Sequence, residues 1–561
     1  DIFDTCLVRK CGTPENMLDV LSLRVFKEPV EERIRQEFVV ARHQAAIAIS
    51  NNVHAQLSDI YDAMRWTHPS LYPKEELLQI EMDCEKSLLV PVQSMLQKIN
   101  NIRQNGNHII FISDMYLPTD FLQSILIEMG FMFKEDSLYV SNAIGCCKYD
   151  GTLFEHIKNK ENLAYRSWIH FGDNSIADYQ IPRKYGIKAN LIRNGYSPYE
   201  KEWIFDKPSF GFKYGNILAG LCRALRLSLP EHPHNPLLVD IGAPLFTTFV
   251  YRVLQNANAT GIRKLFFCAR DAKMLLLIAN HLQPIFPQIQ LSYLHISRAA
   301  LYSDENKAKI RYFEQCGLAS KSTKTAIVDL RTTGKTLCVL NSLLESHGYI
   351  PVQGYYLEMF CQREMSWIPK NFYSETQSSY LMLNPAFEMG EIAPPLIEMY
   401  FSVHQEKRTI GYRIDNDTAI PVLDEEEQTE RLENTMQFSN CSEVCEIHTQ
   451  RMIAFAHDFV ELELFRYVNE LFSNITLTTL EKFCTIPHPF YLESLLDFLF
   501  YNPKTKTLTP YVRKASIVRL IVNKGKDSYW KNATRLISLP PYFSKLYALY
   551  LRQKQIGKLY S

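Results

Sequence analysis

Apolar residues along the chain follow two rhythms. Short unbroken apolar runs that end in polar residues predict buried strands, and longer stretches where apolar positions recur every three or four residues predict amphipathic helices. About ninety residues of mainly helical pattern, including Val30–Ser50 and Glu75–Ile99, precede a strand predicted over His108–Ile112, which runs into Ser113-Asp114-Met115. A strand over Ser167–Phe171 runs into Gly172-Asp173-Asn174, with Asp178 close behind. The apolar strand expected before Asp1 is missing, so the sequence reads as beginning a few residues inside the natural protein. Pro198, Pro208, Pro230, Pro233 and Pro236 then interrupt the pattern, and a second alternation begins. It predicts a helix over Pro244–Asn256, a strand over Lys264–Cys268, the turn Ala269-Arg270-Asp271-Ala272 and a helix over Lys273–Leu282. A strand over Leu291–Ile296 follows, ending in Ser297-Arg298, and then a strand from Thr325 that leads through a Thr/Gly turn into a helix reaching Glu345. Beyond the acidic connector Asp424-Glu425-Glu426-Glu427 the pattern is helical over Glu443–Phe472, over Tyr491–Tyr501 and after Pro540-Pro541. These rhythms predict an α/β chain in three parts: 1–200 with a helical insertion at about 13–95, 201–420, and a helical region over 421–561.

At roughly 100 to 200 residues per domain, 561 residues accommodate such a plan, and 46% hydrophobic residues exclude a disordered chain. No run of 18 apolar residues and no basic-then-apolar leader is present, so a cytoplasmic protein is expected. The 13 cysteines include no CxxC pair and predict free thiols; Cys441 and Cys445 lack the second pair that a zinc site needs. The 61 Lys+Arg balance 61 Asp+Glu, which excludes a uniformly basic, nucleic-acid-coating chain. That balance hides an asymmetry. Residues 503–561 hold 13 basic side chains and one acid, Asp527, whereas the rest of the chain holds 48 against 60.

Polar residues directly after buried strands lie where open α/β sheets bind ligands. Singly, Asp1, Ser113 and Asp173 would read as helix caps. Taken in order, Asp1-Ile2-Phe3-Asp4-Thr5, Ser113, Lys148 before Asp150-Gly151-Thr152, and Asp173 resemble the haloacid dehalogenase superfamily of phosphohydrolases over about residues 1–195. The resemblance implies Asp1 as a nucleophile that forms an aspartyl-phosphate. It implies Ser113 and Lys148 as holders of the phosphoryl oxygens, Asp1, Asp173 and the Phe3 backbone as ligands of Mg²⁺, and Asp178 as a nearby support. The acid/base aspartate usual two residues after the nucleophile is Phe3 here. Asp4, one residue later, is its candidate substitute.

In the middle segment Gly334-Lys335-Thr336 invites a P-loop reading, but that motif requires glycine at position 329, which is Asp. The P-loop is rejected. What remains is a strand ending in an acid and a Thr/Gly turn into a helix, a site for one phosphate. Asp329-Leu330-Arg331-Thr332-Thr333-Gly334-Lys335-Thr336 resembles the phosphoribosyl diphosphate loop of type I phosphoribosyltransferases, with Val328 in place of a second acid. On that resemblance Asp329 binds ribose hydroxyls, Arg331 to Thr336 cradle phosphate, Ala269 and Arg270 belong to the diphosphate loop, and Arg298 neutralises the leaving diphosphate. Asp271, Glu398 and His404 are candidate bases. Glu398 lies in Pro394-Pro395-Leu396-Ile397-Glu398-Met399, a segment that resembles one in bacterial polysaccharide proteins and reads equally as packing. The alternative is a plain α/β domain with a capping Thr turn.

The two resemblances together imply two doubly wound, Rossmann-like domains and the plan of bifunctional bacterial proteins that build ribofuranose into capsules or O-antigens. Such a protein transfers ribofuranosyl-5-phosphate from phosphoribosyl diphosphate to a glycan acceptor and then removes the 5-phosphate. Two other readings stand beside it: a phosphatase whose middle domain senses a nucleotide or sugar phosphate, and a scaffold with both sites degenerate. After Pro540-Pro541, Phe543, Leu546, Tyr547, Tyr550 and Leu551 share a helical face among Lys545, Arg552, Lys554 and Lys558. Such a helix suits either an anionic membrane surface, as a lipid-linked acceptor would require, or the acidic body of its own chain.

Overall fold

Lys264-Leu-Phe-Phe-Cys268 forms a strand over the residues that its apolar run predicts, and Lys273–Leu282 the helix after it. In the computed structural model these belong to the second of two compact units, Asp1–His232 and Pro233–Ser561. The structure describes all residues except 27–29, 67–71, 206–211, 333, 360–391, 426–437, 439–440, 503–506, 524–527 and 560–561. Both units mix helices with small sheets. Thr333, part of the acidic connector and part of the basic tail lie outside the described residues.

In the first unit β1 (Leu7–Arg9) pairs antiparallel with β2 (Leu89–Pro91). β3 (Ile110–Ser113) pairs parallel with β4 (Ser137–Val140), and β5 (Ile169–Gly172) parallel with β6 (Lys188–Leu191). The helical pattern expected over Glu75–Ile99 is interrupted by β2: the helix Lys74–Leu88 stops, and a new one runs Gln93–Gln104. Pro91 cannot donate a helical hydrogen bond and suits the end of a short strand. Four helices, Pro14–Val25, Glu32–Ile49, Leu57–Ala63 and Lys74–Leu88, fill the region between β1 and β2.

Glu81 and Glu85 lie one turn apart on Lys74–Leu88 and are both buried, yet each meets an arginine from a different element. Arg42 Nη2 is 2.5 Å from Glu81, where Tyr61 also donates at 2.7 Å, and Arg9 Nε donates to Glu85 at 2.7 Å. Removing one partner of such a pair strands a buried charge. Glu81→Ala is therefore expected to lower unfolding stability by about 3–5 kcal/mol. Adding Arg42→Met should restore much of that loss, as read from urea midpoints; a double variant as weak as Glu81→Ala would show that the stranded charge is not the cause.

The helix Phe212–Ser228 belongs to the first unit, although the sequence places it beyond the boundary at 200. Ala224 joins the core of Ile2, Leu7, Phe111 and Leu126. At Gly220 the helix touches the turn after β1 so closely that an added Cβ would stand 2.2 Å from the Gly12 nitrogen.

The second unit is built on one parallel sheet of four strands, β7 (Lys264–Cys268), β8 (Gln290–Leu294), β9 (Thr325–Thr332) and β10 (Gln353–Met359), in the order β10-β9-β7-β8. Chain order reverses between β7 and β9, which places a crevice at their carboxyl ends. Among the described residues one helix, Asn235–Ala259, is long and apolar enough to cross a membrane, and 94% of its apolar window is buried inside the molecule. It packs against Lys273–Leu282 and Cys441–Glu461 as a core helix. The helix expected over Glu443–Phe472 runs Cys441–Glu461 and then breaks into short turns, with Glu463 in the left-handed region at φ 52°. The helix expected over Tyr491–Tyr501 ends at Leu492. Leu499–Asn502 then pairs antiparallel with Thr507–Pro510, where aromatic residues and threonines favour strands. None of the twelve described cysteines is joined in a disulfide.

Candidate functional site

The strand ends of the first unit bring their polar residues to one place. The Asp1 nitrogen donates to the Phe171 carbonyl at 2.8 Å, which sets Asp1 beside the end of β5. Lys148 comes from the loop before the helix Thr152–Lys160 and places Nζ 2.6 Å from Asp1 Oδ1 and 2.7 Å from Asp178 Oδ1. Thr5 donates to the other Asp1 oxygen at 3.3 Å. The Lys148 backbone N–H donates to both oxygens of Asp114 at 3.0 Å, so the residue after Ser113 fixes the loop that carries the lysine. Ser113 itself is buried at the end of β3.

Asp178 is approached by two cationic or donor groups, Lys148 and His170, whose Nε2 lies 2.9 Å from Oδ1. Burial alone would raise its pKa, but the His170 hydrogen bond and the Lys148 charge outweigh burial and hold it below the ordinary carboxylate range. Asp173 moves the other way: burial raises it first, and the charges of Asp4 and Asp178 add to that. Candidate ligand atoms of Asp1, Asp173 and Asp178 all lie within 4.8 Å of one another. Crowded carboxylate oxygens of this kind fit a hard cation such as Mg²⁺.

Phe3 lies in the turn between Asp1 and β1, with the Arg9 guanidinium 4.5 Å from its ring centre. Asp4 has φ 53°, and its carboxylate is 2.6 Å from Arg223 Nη2. Arg223 also donates to the Asn194 carbonyl at 2.7 Å, while the Asn194 amide donates to the Asp4 carbonyl at 2.9 Å. The candidate acid is thus held from both sides. Sequence reasoning missed Asp114, His170 and Arg223. The first two carry readable signals, a second acid after β3 and a polar residue inside an apolar strand; Arg223 lies on a distant helix and has none.

In the second unit the turn after β7 and the end of β9 meet at the crevice. Asp329 is pushed well above the usual carboxylate range, by burial first and then by the neighbouring Asp271 charge. His404 Nε2 lies 3.5 Å from Asp271 Oδ1. Arg331 is paired with Glu358, its register partner on β10, and is 3.0 Å from Glu398. Burial raises Glu398 and Arg331 opposes this. Thr332 Oγ1 accepts from the Gly334 N–H at 2.9 Å, and Gly334, at φ 82°, starts the helix Lys335–Ser346 in a conformation that favours glycine. Thr336 is half-buried in its first turn, and Lys335 Nζ sits 5.4 Å from the Tyr302 ring centre. Ala269 and Arg270 are half-buried, and Arg298 is exposed at the start of a short helix that Ser297 caps at 3.1 Å. Asp271, Asp329, Arg331, Glu398 and His404 therefore share one neighbourhood of three acids, a paired arginine and a histidine.

No family model matches the chain. A search of curated proteins finds no match either.

Proposed function

We propose that the chain is a bifunctional enzyme that transfers ribofuranosyl-5-phosphate from phosphoribosyl diphosphate to a glycan acceptor and then hydrolyses the 5-phosphate, in capsule or O-antigen synthesis. On this reading both units are doubly wound, Rossmann-like domains, one similar to haloacid dehalogenase phosphatases and one to type I phosphoribosyltransferases. The enzyme works in the cytoplasm, at the inner face of the membrane where the acceptor is lipid-linked. The observation that carries the reading is Lys148 joined to Asp1 and Asp178 beside Asp173.

In the phosphatase an Asp1 oxygen attacks phosphorus, and the bond from phosphorus to the ribose O5 breaks. Lys148 orients Asp1 and balances the charge of the phosphoryl group; Ser113 lies at the strand end next to them. The departing alkoxide takes a proton, with Asp4 as the candidate donor and Arg223 as the group that holds Asp4. Water then attacks the aspartyl-phosphate and frees Asp1. Mg²⁺, held by Asp1 and Asp173 with Asp178 behind, would supply electrostatic stabilisation of the phosphoryl oxygens.

In the transferase the acceptor hydroxyl oxygen attacks C1 of the donor, and the bond from C1 to diphosphate breaks. Asp329 binds the ribose hydroxyls, the turn from Thr332 to Thr336 holds the 5-phosphate, and Ala269, Arg270 and Arg298 face the diphosphate. The acceptor proton passes to the pair Asp271 and His404. A second reading, a phosphatase with a sugar-phosphate sensor, is favoured by one observation: Arg331 is already shared between Glu358 and Glu398.

Incubation of the full chain with phosphoribosyl diphosphate, Mg²⁺ and a panel of glycans separates the two. Diphosphate release that needs an acceptor, with a phosphate-free ribosyl product, is expected. Phosphatase activity without acceptor-dependent diphosphate release from any glycan would leave the sensor reading standing.

A further inference from the structure

We infer that the last helix docks the protein on an anionic lipid surface. The helix Pro541–Leu559 leaves five large apolar side chains open to solvent: Tyr542, Phe543, Leu546, Leu549 and Tyr550, exposed by 46 to 70%. At 100° per residue these fall within one arc of about 120°. Lys545 and Arg552 flank one edge of that arc and Lys554 the other.

The rotation of the helix is fixed from behind. Ser544 is buried and donates to the Leu536 carbonyl at 2.9 Å, and the Tyr547 hydroxyl donates to Asn532 at 2.9 Å while accepting from Arg535 at 2.8 Å. All three partners lie on or beside the helix Lys531–Ser538. At the same rotation Ser544 stands about 160° from the middle of the apolar arc and Tyr547 about 100°, outside its edge, so packing on the helix Lys531–Ser538 leaves the arc outward. Contiguous exposed apolar surface rimmed by polar groups marks an interaction site.

Charge selects the occupant. Residues 503–561 carry 13 basic side chains and one acid. A second copy presenting the same face would meet like charge, whereas an anionic bilayer offers an apolar interior under a negative surface. Tyrosine and phenylalanine beside flanking cations suit the interface, where rings enter the headgroup layer and the cationic ends stay wet.

Co-sedimentation of the full chain with vesicles tests this. Binding is expected to phosphatidylcholine vesicles containing phosphatidylglycerol and to fall in high salt; pure phosphatidylcholine should bind weakly. Phe543→Glu with Leu546→Glu, both at exposed positions, should abolish binding, and Lys545→Gln should weaken it about fivefold. Unchanged circular dichroism and gel-filtration volume would confirm that these variants fold. Failure to bind the anionic vesicles, equal binding to both vesicle types, or retained binding by the double glutamate variant would overturn the proposal. So would a concentration-dependent dimer that the double variant loses, which would make a second copy the occupant.

Discussion

Asp1→Asn is expected to lower dephosphorylation by about four orders of magnitude or more, because on the proposed mechanism it removes the group that bonds to phosphorus. The fold should survive, since Lys148 keeps Asp178 at 2.7 Å and an amide oxygen can still accept from Thr5. On the proposed reading diphosphate release continues in this variant and the product accumulates with its 5-phosphate. Mass spectrometry of the ribosylated glycan reads the outcome directly. A product still lacking phosphate would remove Asp1 from the role of nucleophile, whatever the transferase does.

The second large effect joins stability to activity. Asp329→Asn should reduce acceptor-dependent diphosphate release about 10²- to 10³-fold, because on the proposed reading it alters the group that positions the ribose hydroxyls. It should also make the protein more stable at neutral pH. An unfolded aspartate titrates at about 3.9, and burial beside Asp271 puts folded Asp329 well above that. Between the two values the folded chain holds a proton that the unfolded chain has released. Stability therefore falls as pH rises through that window and stays lower above it. The asparagine substitution removes the titration and with it the fall. Urea midpoints of both proteins at pH 5 and pH 8 test this: the variant should gain on the wild type as pH rises, and a variant weaker at pH 8 would mean that the Asp329 charge is satisfied rather than strained.

Where local pattern decides structure, the sequence was readable. Leu265–Cys268 is apolar throughout and falls in a central strand, and Asp173 is found just beyond the end of β5. Asp329, expected at a strand end, lies inside β9 instead, because pairing with β10 carries the strand on to Thr332. Pattern failed where partners are remote or the period is ambiguous. Leu89–Pro91 sits inside a helical rhythm and becomes a strand because Leu7–Arg9 pairs with it. Tyr491–Tyr501 has apolar residues at both helical and alternating spacings, and the hairpin with Thr507–Pro510 resolves the ambiguity. In the first site Asp1, Lys148 and Asp173 could be gathered from their order along the chain. Arg223, 219 residues from Asp4, could not, since only the packing of its helix brings the two together.

That helix also decides how the chain can be dissected. A fragment ending at residue 200, where composition alone would suggest the cut, would take Ala224 out of the first core and Arg223 away from Asp4. It would also bare the backbone groove against which Gly220 rests. A separable first unit has to run to about His232.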